Sequence, residues 1–90
     1  MAQKTGKAIT LTVGEDDLNF NVGLADYERY QNELAMDNKV APAKNFLKRC
    51  AADDDTTAAL EVRFAQGLAV EISGAVVSAY RPDVEIKIKE

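Results

Sequence analysis

Two short segments near the start of the chain alternate strictly between apolar and polar residues, and this alternation constrains the fold more than any other feature. Residues 7–13 read KAITLTV and residues 18–22 read LNFNV. A period of two is the spacing of a strand with one buried face. The GEDD between them, residues 14–17, consists of turn-forming residues, so the sequence predicts a β-hairpin. Its apolar face is formed by Ile9, Leu11, Val13, Leu18, Phe20 and Val22.

Helical periodicity follows the hairpin and predicts a cover for that apolar face. Apolar residues recur at intervals of three and four in four segments, residues 24–34, 42–50, 56–66 and 68–80. We expect the second helix to begin at Pro42, because a first helical turn tolerates the missing N–H of proline. Proline should also hold Ala41 in extended geometry. Gly74, inside the fourth helix, suggests a close helix crossing.

The end of the chain alternates again, in DVEIKIKE, residues 83–90. Val84, Ile86 and Ile88 share one face, and we expect this third strand to join the hairpin. The predicted class is α+β: an N-terminal β-hairpin plus a C-terminal strand, forming a small antiparallel or mixed sheet covered by about four helices, in the order ββααααβ. Residues 1–90 are expected to form one domain, with residues 1–6 flexible.

The composition argues against an enzyme or a metalloprotein. The chain has no histidine, the commonest general base and metal ligand, and one cysteine, Cys50, which we expect to be buried. It also has no glycine-rich phosphate loop. The acidic runs at residues 15–17 and 53–55 could hold a cation, but a hairpin turn and a helix N-terminus explain them more simply. We therefore expect no catalytic residue, no metal and no cofactor.

The net charge and the lengths of the apolar segments limit the kinds of partner that the chain can have. A net charge of −4 disfavours binding to nucleic acid. One basic cluster could nevertheless be either a solvated helix face or a nucleic-acid-binding patch, and it consists of Lys39, Lys44, Lys48 and Arg49. The longest uncharged stretch, residues 72–80, is too short for a membrane span, and the N-terminus has no secretory pattern, so we expect an intracellular protein. Small domains often gain stability by pairing, so self-association stays open.

The least ordinary segment is MDNKVAPAKNFLKRC, residues 36–50. A proline corner between two amphipathic helices can present side chains outward, and Asn38 and Asn45 are expected to bind backbone groups that the corner leaves unpaired. Tyr27 and Tyr30, three residues apart, are either half-buried core residues or exposed protein-binding anchors. We predict a partner-binding surface bordered by Tyr27, Tyr30, Asn38, Lys39, Val40, Pro42 and Phe46.

The segments ADYERYQNEL, DNKVAPAKNFLKR and RPDVEIKIK resemble the tail assembly chaperones of Mu-like and related contractile-tailed bacteriophages and prophages. The resemblance covers nearly the whole chain, and the N-K-V-A-P-A-x-N-F-L corner is its specific part. One departure is GLA at residues 23–25, where a stronger helix cap is expected.

The resemblance implies a non-catalytic assembly factor. It would bind the tape measure protein, with the tail tube protein as a further partner, in the cytoplasm of the bacterial host, and would not be retained in the virion. Two alternatives stay open, a small structural component of the virion tail and a small nucleic-acid-binding phage regulator.

Overall fold

A β-hairpin followed by four helices makes up the part of the chain that is described. The computed structural model describes residues 6–81 and 87–89. Its elements, in chain order, are β1 (Lys7–Val13), β2 (Asp16–Val22), α1 (Leu24–Glu33), α2 (Val40–Cys50), α3 (Asp54–Ala65) and α4 (Ala69–Tyr80). The predicted α+β class is confirmed, as are the hairpin and the helical segments that follow it.

The hairpin turn is shorter than predicted. β1 and β2 pair antiparallel with Val13 opposite Asp16, so Gly14 and Glu15 alone connect the strands. Gly14 has a φ of 62°, whereas Glu15 has a negative φ. A positive φ at the first central residue alone is the pattern of a type II′ turn, which matches the twist of the flanking strands. Asp16 and Asp17, predicted to lie in the turn, are therefore strand residues.

The apolar face of the hairpin is covered by α2, α3 and α4, and α2 is the central helix of the three. α2 packs against α1, α3, α4 and β2. On the hairpin side, Leu18, Phe20 and Val22 are almost completely buried. The buried residues of α2 are Pro42, Ala43, Phe46, Leu47 and Cys50. Because burying one large apolar side chain stabilises a fold by about 1.5–3 kcal/mol, this layer is the main source of stability.

The outer edge of β2 is covered by the connection between α2 and α3. The backbone N–H of Ala52 donates to the Asn19 carbonyl at 2.9 Å, and Ala51 forms a β-bridge with Phe20. The backbone N–H of Asn19 donates to Oγ1 of Thr56 at 3.0 Å, and Thr56 is itself buried. Both outward backbone groups of Asn19 are therefore satisfied, and this edge is closed to further strand pairing.

Asp53 provides the cap that begins α3. Its Oδ1 accepts a hydrogen bond from the backbone N–H of Thr56 at 2.7 Å. The hydrogen bonds from Thr56 favour the ionised carboxylate and lower the pKa of Asp53 below its ordinary value. Asp54 and Asp55 then lie in the first turn, where the helix dipole favours negative charge. The acidic run 53–55 is thus a helix start.

Arg63, near the end of α3, holds the hairpin turn. Its Nη2 donates to the Val13 carbonyl at 3.0 Å and to the Asp16 carboxylate at 2.9 Å. A Cβ at Gly14 would lie 2.8 Å from the same nitrogen, so the turn glycine also makes room for the guanidinium. Together with the contact of Thr56 at the other end, Arg63 fastens α3 to the hairpin at both ends.

α2 begins at Val40, two residues earlier than predicted. Pro42 is its third residue, and the Lys39 carbonyl accepts from the Ala43 N–H at 3.1 Å to close the first turn. The first N–H groups of a helix have no intrahelical acceptor, so proline removes no helical hydrogen bond at the third position either. The prediction that Pro42 holds Ala41 in extended geometry is wrong.

Two further expectations about single residues are also wrong. Gly74 is exposed, and a Cβ built on it would meet nothing within 4 Å, so it marks no close helix crossing. Asn38 and Asn45 are exposed and form no side-chain hydrogen bond with the described residues. Asn38 acts instead through its backbone, which pairs with Ala35.

The predictions for the two ends of the chain fall mainly on residues that are not described. The expected third strand, with Val84, Ile86 and Ile88 on one face, lies largely in residues 82–86, outside the described part. Residues 87–89 are exposed and belong to no strand. Of residues 1–6, predicted to be flexible, residues 1–5 are likewise outside it.

We expect Asp53→Ala to lower the thermal midpoint more at about pH 6 than at about pH 2.5. A carboxyl whose pKa is lower in the folded state stabilises the protein above its unfolded pKa. That contribution is lost as the pH falls through the folded pKa. Thermal unfolding followed by circular dichroism across this range measures it, with Asp55→Ala as the control that keeps the cap. A pH-independent difference between the wild type and Asp53→Ala would contradict the role of the carboxylate.

Candidate functional site

The connection between α1 and α2 forms a tight, outward-pointing corner. Ala35 and Asn38 exchange two backbone hydrogen bonds, each 3.2 Å long, so Met36 and Asp37 form the tip of a two-residue turn. The side chain of Met36 is 96% exposed. A large apolar side chain held this far into solvent by a hydrogen-bonded turn is available to a partner.

An apolar groove lies beside this corner, between the end of α1, the turn and the start of α4. Its volume is about 410 Å³. We call it the corner groove, and its lining residues are Tyr30, Leu34, Ala35, Met36, Lys39 and Val70. Leu34, Met36 and Val70 are exposed apolar side chains, and Lys39 supplies the one charged group of the lining. The groove therefore offers an apolar surface with a cation at its rim.

The floor of the corner groove is held by Tyr30. Its ring stacks on Phe46 of α2, with centroids 4.5 Å apart and planes 18° from parallel, and the residue is only 8% exposed. The Tyr30 hydroxyl lies 3.1 Å from Oγ of Ser73, and Ser73 donates to the Val70 carbonyl at 2.8 Å. Because a serine hydroxyl has one proton, Tyr30 must be the donor to Ser73. Tyr30 thus links α1 to both α2 and α4.

The seven predicted partner-binding residues differ in their exposure to solvent. Asn38, Lys39 and Val40 are exposed at the corner. Buried are Tyr30, Pro42 and Phe46. Tyr27 is half-buried against Tyr80, with ring centroids 5.2 Å apart.

The corner does not present Pro42 and Phe46 to solvent. Pro42 and Phe46 lie four residues apart on the inner face of α2, where they pack into the core. Tyr30 borders the groove as its floor. Whether these residues contribute to binding a partner stays a prediction.

The predicted partner-binding residues include Tyr30 and Lys39 of the corner groove but not its other four lining residues, which are Leu34, Ala35, Met36 and Val70. Met36 gave no periodic signal, because it lies in the turn after α1. Val70 is about 35 positions away along the chain and reaches the groove only because α4 packs on α2. An isolated methionine next to an Asp-Asn turn was the one local sign of an exposed apolar tip.

The four basic residues near the corner do not form one patch. Lys44 and Lys48 lie over the ring of Phe64, at 5.7 Å and 6.0 Å from its centroid. Lys48 also pairs with Glu61 of α3. Arg49 points the other way, with its Nε 3.9 Å from the Asp26 carboxylate of α1. Three of the four cations thus face partners within the chain.

Within the described residues, no group of three or more acidic or cysteine side chains is arranged to hold a metal ion. None of the helices described is long and apolar enough to cross a membrane. The chain is thus a small α+β domain with an apolar groove beside an exposed methionine. Such a surface is typical of a domain that binds another protein.

Comparison with known proteins is consistent with this class. A family model described as phage tail assembly chaperone matches residues 9–90, so the chain belongs to the phage tail assembly chaperone family. The resemblance drawn from the sequence is thereby confirmed. The chain is also similar to an uncharacterized 11.3 kDa protein in the lys 3′ region of Haemophilus phage HP1 (strain HP1c1). The two are 29% identical over 82 residues, which span 91% of this chain and 80% of that protein. No solved structure matches the chain.

We expect Ser73→Ala to destabilise the fold more than Tyr30→Phe does. Removing the acceptor leaves a buried Tyr30 hydroxyl unpaired, which costs about 1–3 kcal/mol, whereas removing the donor loses only the net value of one hydrogen bond, about 0.5–1.5 kcal/mol. The double variant should lose less than the sum of the two single losses. Urea denaturation of all four proteins measures this cycle, and strict additivity would show that the two hydroxyls do not interact.

Proposed function

We propose that this protein is a non-catalytic tail assembly chaperone that binds the tape measure protein through the corner groove. The observation that supports it is the exposed apolar set of the groove, Met36 above all, carried on a floor that Tyr30, Phe46 and Ser73 hold in place. Membership in the family makes a protein partner in tail assembly the expected ligand. Binding would keep the apolar helices of the tape measure protein soluble until the tail tube forms around them.

An amphipathic helix fits the corner groove in size and chemistry. A volume of about 410 Å³ accommodates a few large side chains rather than a whole chain segment, so the partner would insert the apolar row of one helix. Methionine is unbranched and polarizable, and it adapts to apolar side chains of different shapes. Such a surface suits a long helical partner with many similar segments.

The charge distribution also supports this mode of binding. Lys39 lies at the rim of the groove, where it can pair with an acidic residue on the polar face of the incoming helix. The net charge of −4 would keep the complex in solution and limit nonspecific association. The tail tube protein is proposed as a further partner, without a surface assigned to it.

In this function the protein acts in the cytoplasm of the bacterial host and is absent from the finished virion. A structural role in the virion tail is the first alternative, and mass spectrometry of purified particles separates the two, because a chaperone should be missing from them. A nucleic-acid-binding regulator is the second. Since Lys44, Lys48 and Arg49 face partners within the chain, it has less support.

We expect Met36→Asp and Val70→Asp each to weaken binding of the cognate tape measure protein by at least about tenfold, because each places a charge in the apolar groove. Neither change should unfold the chain. Met36 lies in an exposed turn, and Val70 lies in the first turn of α4, where an acidic residue is favoured. Isothermal titration calorimetry with a tape measure fragment measures the affinity.

Val62→Asp is the matched control. Val62 is 55% exposed on α3, so it is at least as exposed as Val70 at 40%, and it does not line the corner groove. The Val62→Asp variant should bind the tape measure fragment with the same affinity as the wild type. Unchanged affinity in both Met36→Asp and Val70→Asp would refute the corner groove as the binding surface. Retardation of DNA that weakens steeply with salt would instead favour the regulator.

A further inference from the structure

One cation beside the corner has no partner within the described part of the chain. Lys44, Lys48 and Arg49 each face a ring or a carboxylate, as described above. The ammonium of Lys39, by contrast, forms neither a hydrogen bond nor an ion pair with residues 6–81 and 87–89. Lys39 is also the one charged side chain in the lining of the corner groove. The groove therefore carries at its rim a positive charge that no contact within these residues uses.

The backbone on both sides of Lys39 is held by hydrogen bonds. Immediately before it, Ala35 and Asn38 exchange two backbone hydrogen bonds, each 3.2 Å long. Its own carbonyl accepts from the Ala43 N–H at 3.1 Å and so begins α2. The stem of a lysine side chain is flexible, but its ammonium stays near a main chain that is fixed. The positive charge is thus tethered at the rim of the groove.

An apolar groove by itself discriminates poorly between amphipathic helices. Apolar contacts are not directional, and the side chain of Met36 adapts to neighbours of different shapes. The net charge of −4 would moreover attract cationic helices at long range. Discrimination requires an element that repels the wrong partner as well as one that attracts the right one. Lys39 is the lining residue that can supply both effects.

At the groove itself, the charge of Lys39 outweighs the net charge of the chain. Exposed charges are largely screened beyond about 8 Å at physiological ionic strength, so distant carboxylates contribute little to a contact at the rim. Two carboxylates lie close along the chain, those of Asp37 and Glu71. Asp37 is exposed at the tip of the turn, Glu71 follows Val70 on α4, and neither lines the corner groove. A charged side chain that enters along the rim therefore meets Lys39 at the shortest distance.

We propose that Lys39 makes the corner groove selective for amphipathic helices that carry an acidic residue beside their apolar row. This inference rests on the function proposed above. Residues three or four apart on a helix lie side by side, so an Asp or Glu within one turn of the inserted apolar residue faces the rim. There it pairs with Lys39, whereas a Lys or Arg at the same position meets a like charge. The segments of the tape measure protein that bind are those with this acidic flank.

Two synthetic amphipathic peptides of about 20 residues test the selectivity, since shorter isolated helices are marginal in water. They are identical except for one position beside the apolar row, which is Glu in one peptide and Lys in the other. In fluorescence anisotropy titrations the wild type should bind the Glu peptide about fivefold more tightly, and added salt should reduce the preference. Lys39→Gln should remove the preference, and Lys39→Glu should reverse it. Residue 39 is exposed at the start of α2, where the helix dipole favours a negative charge, so Lys39→Glu should stay folded.

Lys44→Glu is the matched control, because it changes the net charge equally but lies over Phe64 and does not line the groove. It should keep the wild-type preference. A preference that Lys44→Glu reverses as fully as Lys39→Glu would overturn the proposal, because it would then follow net charge.

Met36→Asp separates the failure of this inference from the failure of the proposed function. If Met36→Asp weakens binding of both peptides but the wild type binds the two alike, the selectivity is wrong and the corner groove remains the binding surface. If Met36→Asp changes the binding of neither peptide, the groove is not the binding surface and the selectivity is overturned with it.

Discussion

The structure depends on the fact that a two-stranded sheet cannot bury its own apolar face. Leu18, Phe20 and Val22 are almost fully buried only because helices lie against them. An isolated hairpin is at best marginally stable in water. α2, α3 and α4 together meet this requirement. α2 packs against the other three helices as well as β2, and five of its eleven residues are buried. The other helices are arranged around it.

Polar contacts decide where the third helix sits. Burial alone would let α3 slide along the hairpin, because apolar packing is not directional. Thr56 accepts from the backbone of Asn19 at one end, and Arg63 donates to Val13 and Asp16 at the other. These contacts fix both the position and the direction of the helix. The same network closes the edge of β2, so one set of hydrogen bonds both orients a helix and limits strand pairing.

The order and type of the described helices and strands follow from sequence periodicity. The position and lining of the corner groove do not. Periods of two and of three to four are local properties, and they predicted β1, β2 and the four helices well. The start of α2 was misplaced because a proline is tolerated at more than one position of a first turn. Tyr27 and Tyr30 share a helix face, yet only Tyr30 is buried, because α2 and Ser73 of α4 happen to meet it. The corner groove joins Met36 to Val70 and exists only after tertiary packing.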